Sequence, residues 1–566
     1  MVIAAASHHS LKAEEMIEFD EFSQYYTDFL DGSYDCVDRI VLNAYFQLGQ
    51  TPGGLRVWWR QLYGSDDNLD TEHLMRIAGK FSRRVRADAK AHDIPVIDCR
   101  KDERKHELAE QLLPQDPDFK GVFAILVGRA PAPVWEVKQS KAGKIIEVKR
   151  KQPYPSVNHY SFHIMDPEWG HITLKLCPHP PFNAQIILNG HEYVARQALK
   201  AGIEFSQEGN SFTHISDPAA LAQIADTLRG DDVVGQLNQV CERWIYSACL
   251  CFALSLDEQE RANFRYRYST YQVEYSRNFL FHRGGQMEQL FNDLIDRVRA
   301  RLDVKTIKTI FGAKRRPFHH KGHKTPRLEV VVEKPMYNLT VFKLHFGKLT
   351  VKLYTKGERI LRVEVINHNT KALPYGRALA KFPDIVHHLR KVLERFLNIL
   401  HCVDHAFIAD DTLDNLHTAS QVGKSRVGGI DLNKLRLRAV VEAVIALATL
   451  PNGFTVSDLT AKVRNILNAV PQQYTPRQAA YDLKKFRGKN FIRKVDRSRR
   501  YVVSLDGLRT LTALWLLREK TIKPVLAGAA KPKPGPKPKH QSPIDVLYHS
   551  IQLAMFNLFQ MLGIVV

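Results

Sequence analysis

Apolar residues recur at spacings of three and four through most of the first 120 residues, a period that predicts amphipathic helices. The segments concerned are VDRIVLNAYFQL, GGLRVWWRQLYG and DTEHLMRIAGKFSRRVRADAKAHD. A capping pattern, Asp70-Thr71-Glu72-His73, precedes the last of them. We therefore expect residues 1–120 to form a helical N-terminal region.

From Gly121 onward the pattern changes to short apolar runs and to alternation, which predict strands. Strands are expected in GVFAILVG, VWEVKQSKAGKIIEVKR, HYSFHIMDPEWGHITLKLCP, NFRYRYSTYQVEYSRNFLF and, as an antiparallel meander, from RLEVVVEK to RVEVINHNT. Helices are expected in NGHEYVARQALKAGI, from DPAALAQIADTLRG to about residue 255, and in DIVHHLRKVLERFLNILHCVDHAF. Residues 121–425 are thus predicted to be a mixed core with an antiparallel sheet, and the fold class to be α+β.

Residues 430–522 show a different order of signals, with three helices followed by one hairpin. The helices are predicted in LNKLRLRAVVEAVIALATL, TVSDLTAKVRNILNAV and TPRQAAYDLKKFRGKNF, and the hairpin in FIRKVDRSRRYVVS. Thr475 and Pro476 are the residue types favoured at a helix start. This succession resembles a winged helix-turn-helix domain. A basic Lys/Pro linker (523–543) and a C-terminal docking helix (544–566) are expected to follow it.

The winged-helix resemblance implies that the third helix enters the major groove and that the hairpin tracks phosphates. The residues that would face nucleic acid are Arg477, Gln478, Tyr481, Lys484, Lys485, Arg487, Lys489, Arg493, Lys494, Arg497, Arg499 and Arg500. Ten Lys/Arg and two Asp between Tyr474 and Val503 favour this role. The alternative is a winged helix that contacts protein and whose charges are only solvated.

The composition of the chain also favours nucleic acid as the ligand. The 566 residues carry a formal net charge of +21, which predicts attraction to a polyanion such as DNA or structured RNA. Seven scattered cysteines and no signal peptide or long apolar run predict a cytoplasmic protein without a membrane partner. The C-terminal segment PIDVLYHSIQLAMFNLFQMLGIVV is interrupted by polar residues, so it is predicted to support homo-oligomerisation rather than to anchor the chain in a membrane.

Two groups of residues could carry chemistry in the core. His159 and His163 share one face of a predicted strand, and Asp166 lies at the turn that follows. Together with Glu364 they form a candidate site for Mg²⁺ or Mn²⁺. The alternative is a histidine-rich sheet surface without a metal. Motifs of ATPases, α/β-hydrolases and zinc proteases are absent from the sequence.

The second group lies on the hairpin KLTVKLYTKGERILRVEVINHNT, where Lys352, Tyr354, Arg362 and Glu364 are predicted to share one face. Lys352, Lys356 and Arg362 could bind phosphate, Glu364 could bind metal or a proton, and Tyr354 could act as a nucleophile. An exposed hairpin with cross-strand ion pairs would show the same pattern, and we favour that simpler interpretation.

Residues from about 30 to 400 resemble a widespread uncharacterised family of large bacterial proteins. The residues that carry the resemblance are Asp166, Gly170, Pro181, Phe182, Asn189, Gly190, His191, Glu192, Arg196, Gln197, Tyr354, Lys356, Arg362, Glu364 and Asn369. The resemblance implies no particular reaction.

The sequence therefore predicts a nucleic-acid-binding protein of the mobile-element type that processes DNA or RNA. If it is a metal-dependent nuclease, the expected catalytic residues are His163, Asp166, Glu364 and Tyr354. The alternatives are a non-enzymatic replication initiator or transcriptional regulator, and a scaffold that binds only protein.

Overall fold

The computed structural model describes most of the chain. The described residues are 21–100, 103–141, 144–301, 341–346, 349–373, 375–404, 410–448, 450, 453–468, 473–495, 498–523 and 543–561. The predicted Lys/Pro linker from residue 524, the basic loop at 312–326 and Arg497 lie outside them.

The chain divides into two compact units. The larger unit comprises the described parts of Leu30–Phe291 and Lys314–Arg390. The smaller unit comprises the described parts of Met1–Phe29, Asn292–Ala313 and Lys391–Val566. Residues 1–120 are thus not a separate domain, because from Leu30 onward their described residues belong to the larger unit.

The larger unit is built on a ten-stranded sheet in which all neighbours are antiparallel except β2 and β3. The strands of the larger unit are β1 (Leu30–Phe46), β2 (Val96–Asp98), β3 (Gly121–Pro131), β4 (Trp135–Gln139), β5 (Ile145–Arg150), β6 (Ser156–Asp166), β7 (Gly170–Leu176), β8 (Ala184–Asn189), β9 (Phe205–Gln207), β10 (Phe212–Ile215), β11 (Tyr266–Phe281), β12 (Val341–Phe346), β13 (Leu349–Lys356) and β14 (Ile360–Asn367). The order in the sheet is β12-β13-β14-β11-β1-β8-β7-β6-β3-β2, while β4–β5 and β9–β10 are separate hairpins. The α+β class is therefore confirmed.

Helices in the first 301 residues include the two predicted at GGLRVWWRQLYG and after Asp70. The α-helices described in this part of the chain are α1 (Glu21–Tyr25), α2 (Pro52–Tyr63), α3 (Thr71–Ala91), α4 (Lys105–Gln111), α5 (Gly190–Lys200), α6 (Pro218–Asp226), α7 (Val233–Trp244), α8 (Leu256–Arg261) and α9 (Gly284–Arg301). The Asp70 carboxylate accepts a hydrogen bond from the backbone N–H of His73, as the capping pattern predicts.

The helix predicted over VDRIVLNAYFQL is wrong, because these residues belong to β1. This strand lies between β11 and β8, near the middle of the sheet. Val37, Ile40, Val41, Leu42, Ala44 and Phe46 are all buried. A strand covered on both faces has a nearly continuous apolar run, which a helical period also fits.

The two faces of the sheet differ in character. On one face, Tyr160 and Phe162 of β6 contact Phe81 of α3 and Phe252. The opposite face, which we call the polar face, carries Lys175 of β7, Gln185 of β8, Asn43 of β1 and Ser269 of β11 in one row of paired residues. Of the candidate metal ligands, His159 and His163 of β6 lie on the polar face.

The smaller unit contains a helix-rich segment with two short hairpins. After α10 (Phe382–Asp404), the described helices and strands are α11 (Asp410–Leu416), β15 (Ser420–Val422), β16 (Ser425–Val427), α12 (Leu435–Leu447), α13 (Val456–Leu467), α14 (Pro476–Gly488), β17 (Ile492–Lys494), β18 (Tyr501–Val503), α15 (Leu505–Leu516) and α16 (Pro543–Met561). An isolated bridge joins Phe454 to Tyr501 of β18. Within the described part of the chain, no helix has the length and apolarity needed to span a bilayer.

Candidate functional site

A cluster of charged residues is buried where β1 bends. The pairing of β1 with β11 shifts register between Val37 and Ile40, so Asp38 and Arg39 form a bulge. Bulges of this kind redirect side chains. Asp38 turns inward and is 2% exposed, whereas Arg39 is exposed.

The Asp38 carboxylate contacts side chains from three other elements. An Arg362 nitrogen of β14 lies 2.5 Å from one carboxylate oxygen. The other oxygen accepts a hydrogen bond from Ser276 of β11 at 3.0 Å and lies 2.9 Å from Nδ1 of His191. We call Asp38, His191, Ser276, Arg362 and Tyr34 the buried cluster; Tyr34 Oη is 3.4 Å from His191 Nε2.

The start of α5 positions His191. The Asn189 side chain accepts a hydrogen bond from the His191 backbone N–H at 3.0 Å and caps the helix. Gly190 lies directly against β1, where an added Cβ would be 1.7 Å from the Val37 carbonyl oxygen. Only glycine therefore permits the close approach that brings His191 to Asp38.

The β9–β10 hairpin covers the buried cluster. The carbonyl oxygen of Asn210 accepts a hydrogen bond from Arg362 at 2.8 Å, and its side-chain oxygen accepts one from Lys356. The Phe212 backbone N–H donates to Tyr34 Oη at 3.1 Å. Arg362 consequently has no exposed surface.

The charge of Asp38 is compensated mainly by Arg362. Burial alone would raise the pKa of Asp38, but Arg362 and His191 outweigh it and bring the pKa to about 2. Burial lowers the pKa of His191 despite the nearby carboxylate, so its imidazole is neutral at pH 7. Burial and Arg362 lower the pKa of Lys356 to about 8.

Cys36, Asp38 and His191 have ligand atoms within 4.8 Å of one another, and they are the one such triad among the described residues. A metal ion would compete there with the guanidinium of Arg362, which already neutralises Asp38. Burial also raises the pKa of Cys36 well above its usual value, so the thiol stays protonated. The triad is better explained as part of the buried ionic network than as a metal site.

The hairpin residues predicted to share a face do so. Lys352 pairs with Glu364 across β13 and β14, and Tyr354 pairs with Arg362. An ion pair of 2.6 Å joins Lys352 to Glu364. The favoured interpretation as an exposed hairpin is nevertheless wrong, because Arg362 and Glu364 are 0% and 3% exposed. Burial raises the pKa of Tyr354, which disfavours the phenolate that a nucleophile needs.

The four predicted metal ligands do not come together. Glu364 on β14 and His163 on β6 are separated by five strand spacings, about 24 Å. Asp166 lies on the face of the sheet opposite to His163, because odd and even residues of β6 alternate. Its carboxylate forms an ion pair of 2.7 Å with Arg243 and accepts from Trp244 Nε1 at 2.7 Å. The proposed site for Mg²⁺ or Mn²⁺ is therefore not assembled.

His159 and His163 lie on the polar face, and no carboxylate of the described residues contacts either imidazole. His163 Nδ1 is 3.0 Å from His171 Nε2, and His159 Nδ1 is 3.1 Å from the Val157 carbonyl oxygen. Burial, His171, Lys175 and Lys105 lower the pKa of His163 to about 4. The surroundings of these imidazoles are thus cationic, which opposes the binding of a metal ion.

A cleft of about 950 Å³ opens on this side of the larger unit. Its cationic lining residues are Lys175, Arg267 and Arg377, and its histidines are His159 and His179. Glu242 is the one carboxylate among the lining residues, and it accepts a hydrogen bond from Tyr268 at 2.7 Å. We call this the cationic cleft.

The smaller unit carries a second basic region, around α14. Ala479, Leu483 and Phe486 are buried, which leaves Arg477 and Tyr481 exposed on the other side of the helix. Six cations of α14 and the β17–β18 hairpin have no hydrogen-bond or ion-pair partner among the described residues: Arg477, Lys484, Arg487, Arg493, Lys494 and Arg499. We call these six the basic surface.

Four other residues predicted to face nucleic acid are engaged within the protein. Gln478 completes the capping box of α14 with Thr475, a role that the Thr-x-x-Gln spacing indicates. Lys485 donates to the Gly429 carbonyl oxygen at 3.1 Å, and Lys489 to Thr418 Oγ1 at 2.9 Å. Arg500 donates to the Gly453 carbonyl oxygen at 3.0 Å.

Several candidate residues were not expected from the sequence. Asp38 lay in a predicted helix, and Lys175, Arg267 and Arg377 have no shared motif. The sequence signal for Lys175 and Arg267 is polar alternation along single strands, whereas Arg377 lies in a loop. Comparisons with protein-family models, with curated proteins and with solved structures find no match for this chain.

Proposed function

We propose that the protein binds duplex DNA through a winged helix-turn-helix domain at residues 430–522, with α14 as the helix that enters the major groove. The observation that carries the proposal is the basic surface, whose six cations have no internal partner among the described residues. Unpaired cations on one helix and its adjoining hairpin suit a row of phosphates.

The order of elements supports this proposal. Helices α12, α13 and α14 are followed by the β17–β18 hairpin, and the bridge from Phe454 to Tyr501 adds a third short strand. That is the succession expected of a winged helix, in which the first strand lies between the first two helices. The hairpin with Arg493, Lys494 and Arg499 corresponds to the wing.

A second hairpin extends the surface on another side of α14. Gly488 packs against β15, where an added Cβ would lie 2.7 Å from Ser420. The turn at Gly423 presents Lys424, and Arg426 follows on β16. Both are exposed and lack a partner among the residues that the structure describes. Cations on both sides of α14 favour a ligand with two phosphate strands, which is a duplex.

DNA is preferred over structured RNA for a geometric reason. The major groove of B-form DNA admits a helix, whereas that of A-form RNA is too deep and narrow for side chains to read. A cytoplasmic location is part of the proposal, and it agrees with the free thiols of the cysteines whose side chains the structure describes. We do not extend the proposal to a nuclease, because the predicted metal ligands His163, Asp166 and Glu364 lie far from one another or on opposite faces of the sheet.

The test is fluorescence anisotropy of the full chain with a 30-base-pair DNA duplex between about 50 and 200 mM salt. Replacing Arg477, Lys484 and Arg499 by alanine should reduce the slope of log K against log salt by about three. The Lys424→Ala/Arg426→Ala variant should reduce it by about two. The matched control replaces Lys90, Lys141 and Lys200, which are exposed in the larger unit, by alanine.

Three results would count against the proposal. The wild type could show no salt-dependent binding to duplex DNA, or the control could weaken binding as much as the α14 variant. Tighter binding to an RNA duplex than to the DNA duplex would argue against docking in a major groove.

A further inference from the structure

The described residues that line the cationic cleft include three cations and one carboxylate, so positive charge is in excess. Lys175, Arg267 and Arg377 reach it from β7, β11 and the loop before α10. Within the described residues, none of the three has an ion-pair partner. The single lining carboxylate, Glu242, is engaged by Tyr268.

A fourth cation, Lys105, lies on the same side of the sheet, beside the residues that line the cleft. The Lys105 side chain lies over Gly128 of β3, where an added Cβ would be 2.0 Å from Nζ. Gly128 pairs with His159, so this ammonium group lies beside the histidines of the polar face. Lys105 likewise has no ion-pair partner in the described part of the chain. The absence of a side chain at Gly128 is what permits this position.

The neighbouring groups add no negative charge. Burial, together with Arg39 and Lys105, lowers the pKa of Lys175, and burial lowers the pKa of His179 with His159 contributing. Neutral imidazoles remain available as hydrogen-bonding groups. Gln185 donates to the Asn43 side chain at 3.0 Å on the floor of the cleft, so amide groups are present as well.

The cations are distributed along a line. Arg267 on β11 and Lys175 on β7 are three strand spacings apart, about 14 Å. Lys105, over β3, extends this to about 24 Å. Phosphates of one strand in duplex DNA are 3.4 Å apart along the axis and those of an extended strand are farther apart, so this length spans at most roughly seven phosphates. A single mononucleotide would reach only part of this row.

We propose that the cationic cleft binds the phosphate backbone of a single nucleic-acid strand, with Lys105, Lys175, Arg267 and Arg377 as its phosphate ligands. Single-strand sites elsewhere combine a positively charged groove with aromatic rings on which successive bases stack, and histidine rings can take part in such stacking. Here the neutral His159 and His179 and the amides of Asn43 and Gln185 face the same space. The site lies in the larger unit and does not depend on the proposed role of α14.

The experiment uses the full chain with Arg477, Lys484 and Arg499 replaced by alanine, which weakens binding through the basic surface. Affinity for a fluorescent 20-nucleotide oligothymidine is measured with and without the added changes Lys175→Gln, Arg267→Gln and Arg377→Gln. Binding should weaken at least about tenfold with the three changes. Glutamine removes the positive charge and keeps a polar, though shorter, side chain, and circular dichroism with thermal unfolding checks the fold.

Two further variants make the test specific. Lys105→Gln alone should weaken binding several-fold, because its ammonium lies on the same row. The control Lys90→Gln/Lys141→Gln/Lys200→Gln removes three exposed cations elsewhere in the larger unit and should leave the affinity unchanged. Because the same three changes to the basic surface are present in every sample, the comparison does not depend on α14, and failure here is distinct from failure of the proposed function.

A second probe, ATP, tests whether the cleft binds a nucleic-acid strand or a free nucleotide. ATP should bind much more weakly than the oligonucleotide, since it spans fewer of the cations. Equal or tighter binding of ATP would overturn the assignment to a strand and indicate a nucleotide site. Equal oligonucleotide binding by the Lys175/Arg267/Arg377 variant, or no binding of either probe, would overturn the proposal altogether.

Discussion

Replacing Arg362 by methionine should strongly destabilise the larger unit. The change retains much of the side-chain volume but leaves the Asp38 carboxylate buried with no cationic partner. Unit charges about 4 Å apart attract by about 4 kcal/mol at an effective dielectric constant of 20. Removing one partner of a buried ion pair costs about 3–5 kcal/mol, because the other charge stays buried without a partner. We therefore expect a loss of about 4 kcal/mol in the free energy of unfolding at pH 7.

The pH dependence of stability should change sign in this variant. In the wild type the pKa of Asp38 is about 2, below the unfolded value of 3.8, so its stabilisation is complete above about pH 4 and is lost as pH falls. The lowered pKa of Asp38 corresponds to roughly 2 kcal/mol of stability at neutral pH. Without Arg362, burial should raise the pKa above the unfolded value, and stability should then fall as pH rises.

Urea unfolding at pH 4 and pH 7, followed by tryptophan fluorescence, measures both effects. Five of the six tryptophans, Trp58, Trp59, Trp135, Trp169 and Trp244, lie in the larger unit, so the signal reports mainly on that unit. The control is Arg86→Met, which breaks a surface pair with Asp98 and should cost at most about 1 kcal/mol. If Arg362→Met matched this control, the buried ion pair would not be a major determinant of stability.

Three further predictions concern the larger unit. Gly190→Ala should destabilise it severely, because the new Cβ meets the Val37 carbonyl, whereas Gly53→Ala, with nothing within 4 Å, should be tolerated in the same thermal unfolding assay. The pKa of His163, measured by NMR, should lie near 4. Because this is below the unfolded value, the contribution of His163 to stability should be lost as pH falls from about 6.5 to 4. A measured pKa of 6.5 would contradict the cationic surroundings. Asp166→Asn should leave any Mn²⁺ binding, measured by calorimetry, unchanged while lowering stability by about 1–3 kcal/mol through the weakened contact with Arg243.

The sequence predicted local structure better than it predicted neighbours in space. Alternation identified the β13–β14 hairpin and the shared face of Lys352 and Glu364, since strand period alone decides both. Alternation could not show that Glu364 is buried, because its burial depends on the neighbouring strands β11 and β1 and on the β9–β10 hairpin that covers them. The Thr475 cap and the buried face of α14 were correct for the same local reason.

The errors arose where tertiary context decides. β1 was predicted as a helix, because its burial on both faces removes the alternation that marks a strand. His163, Asp166 and Glu364 were joined into one site although four strands lie between β6 and β14. The order of strands in a sheet is set by long-range packing, so spacing along the chain could not reveal it. The cationic cleft was missed because its three cations come from separate elements.

The position of β1 in the sheet has a consequence for the order of synthesis. The strand leaves the ribosome early, but its partners β8 and β11 follow much later, as the separation of 142 residues between Asn43 and Gln185 and of 238 between Asp38 and Ser276 illustrates. Until residue 281 has been translated, a long apolar strand lacks at least one neighbour. Unpaired strands of this kind are prone to aggregate. Nascent chains of this protein are therefore expected to depend on chaperones through roughly the first half of translation.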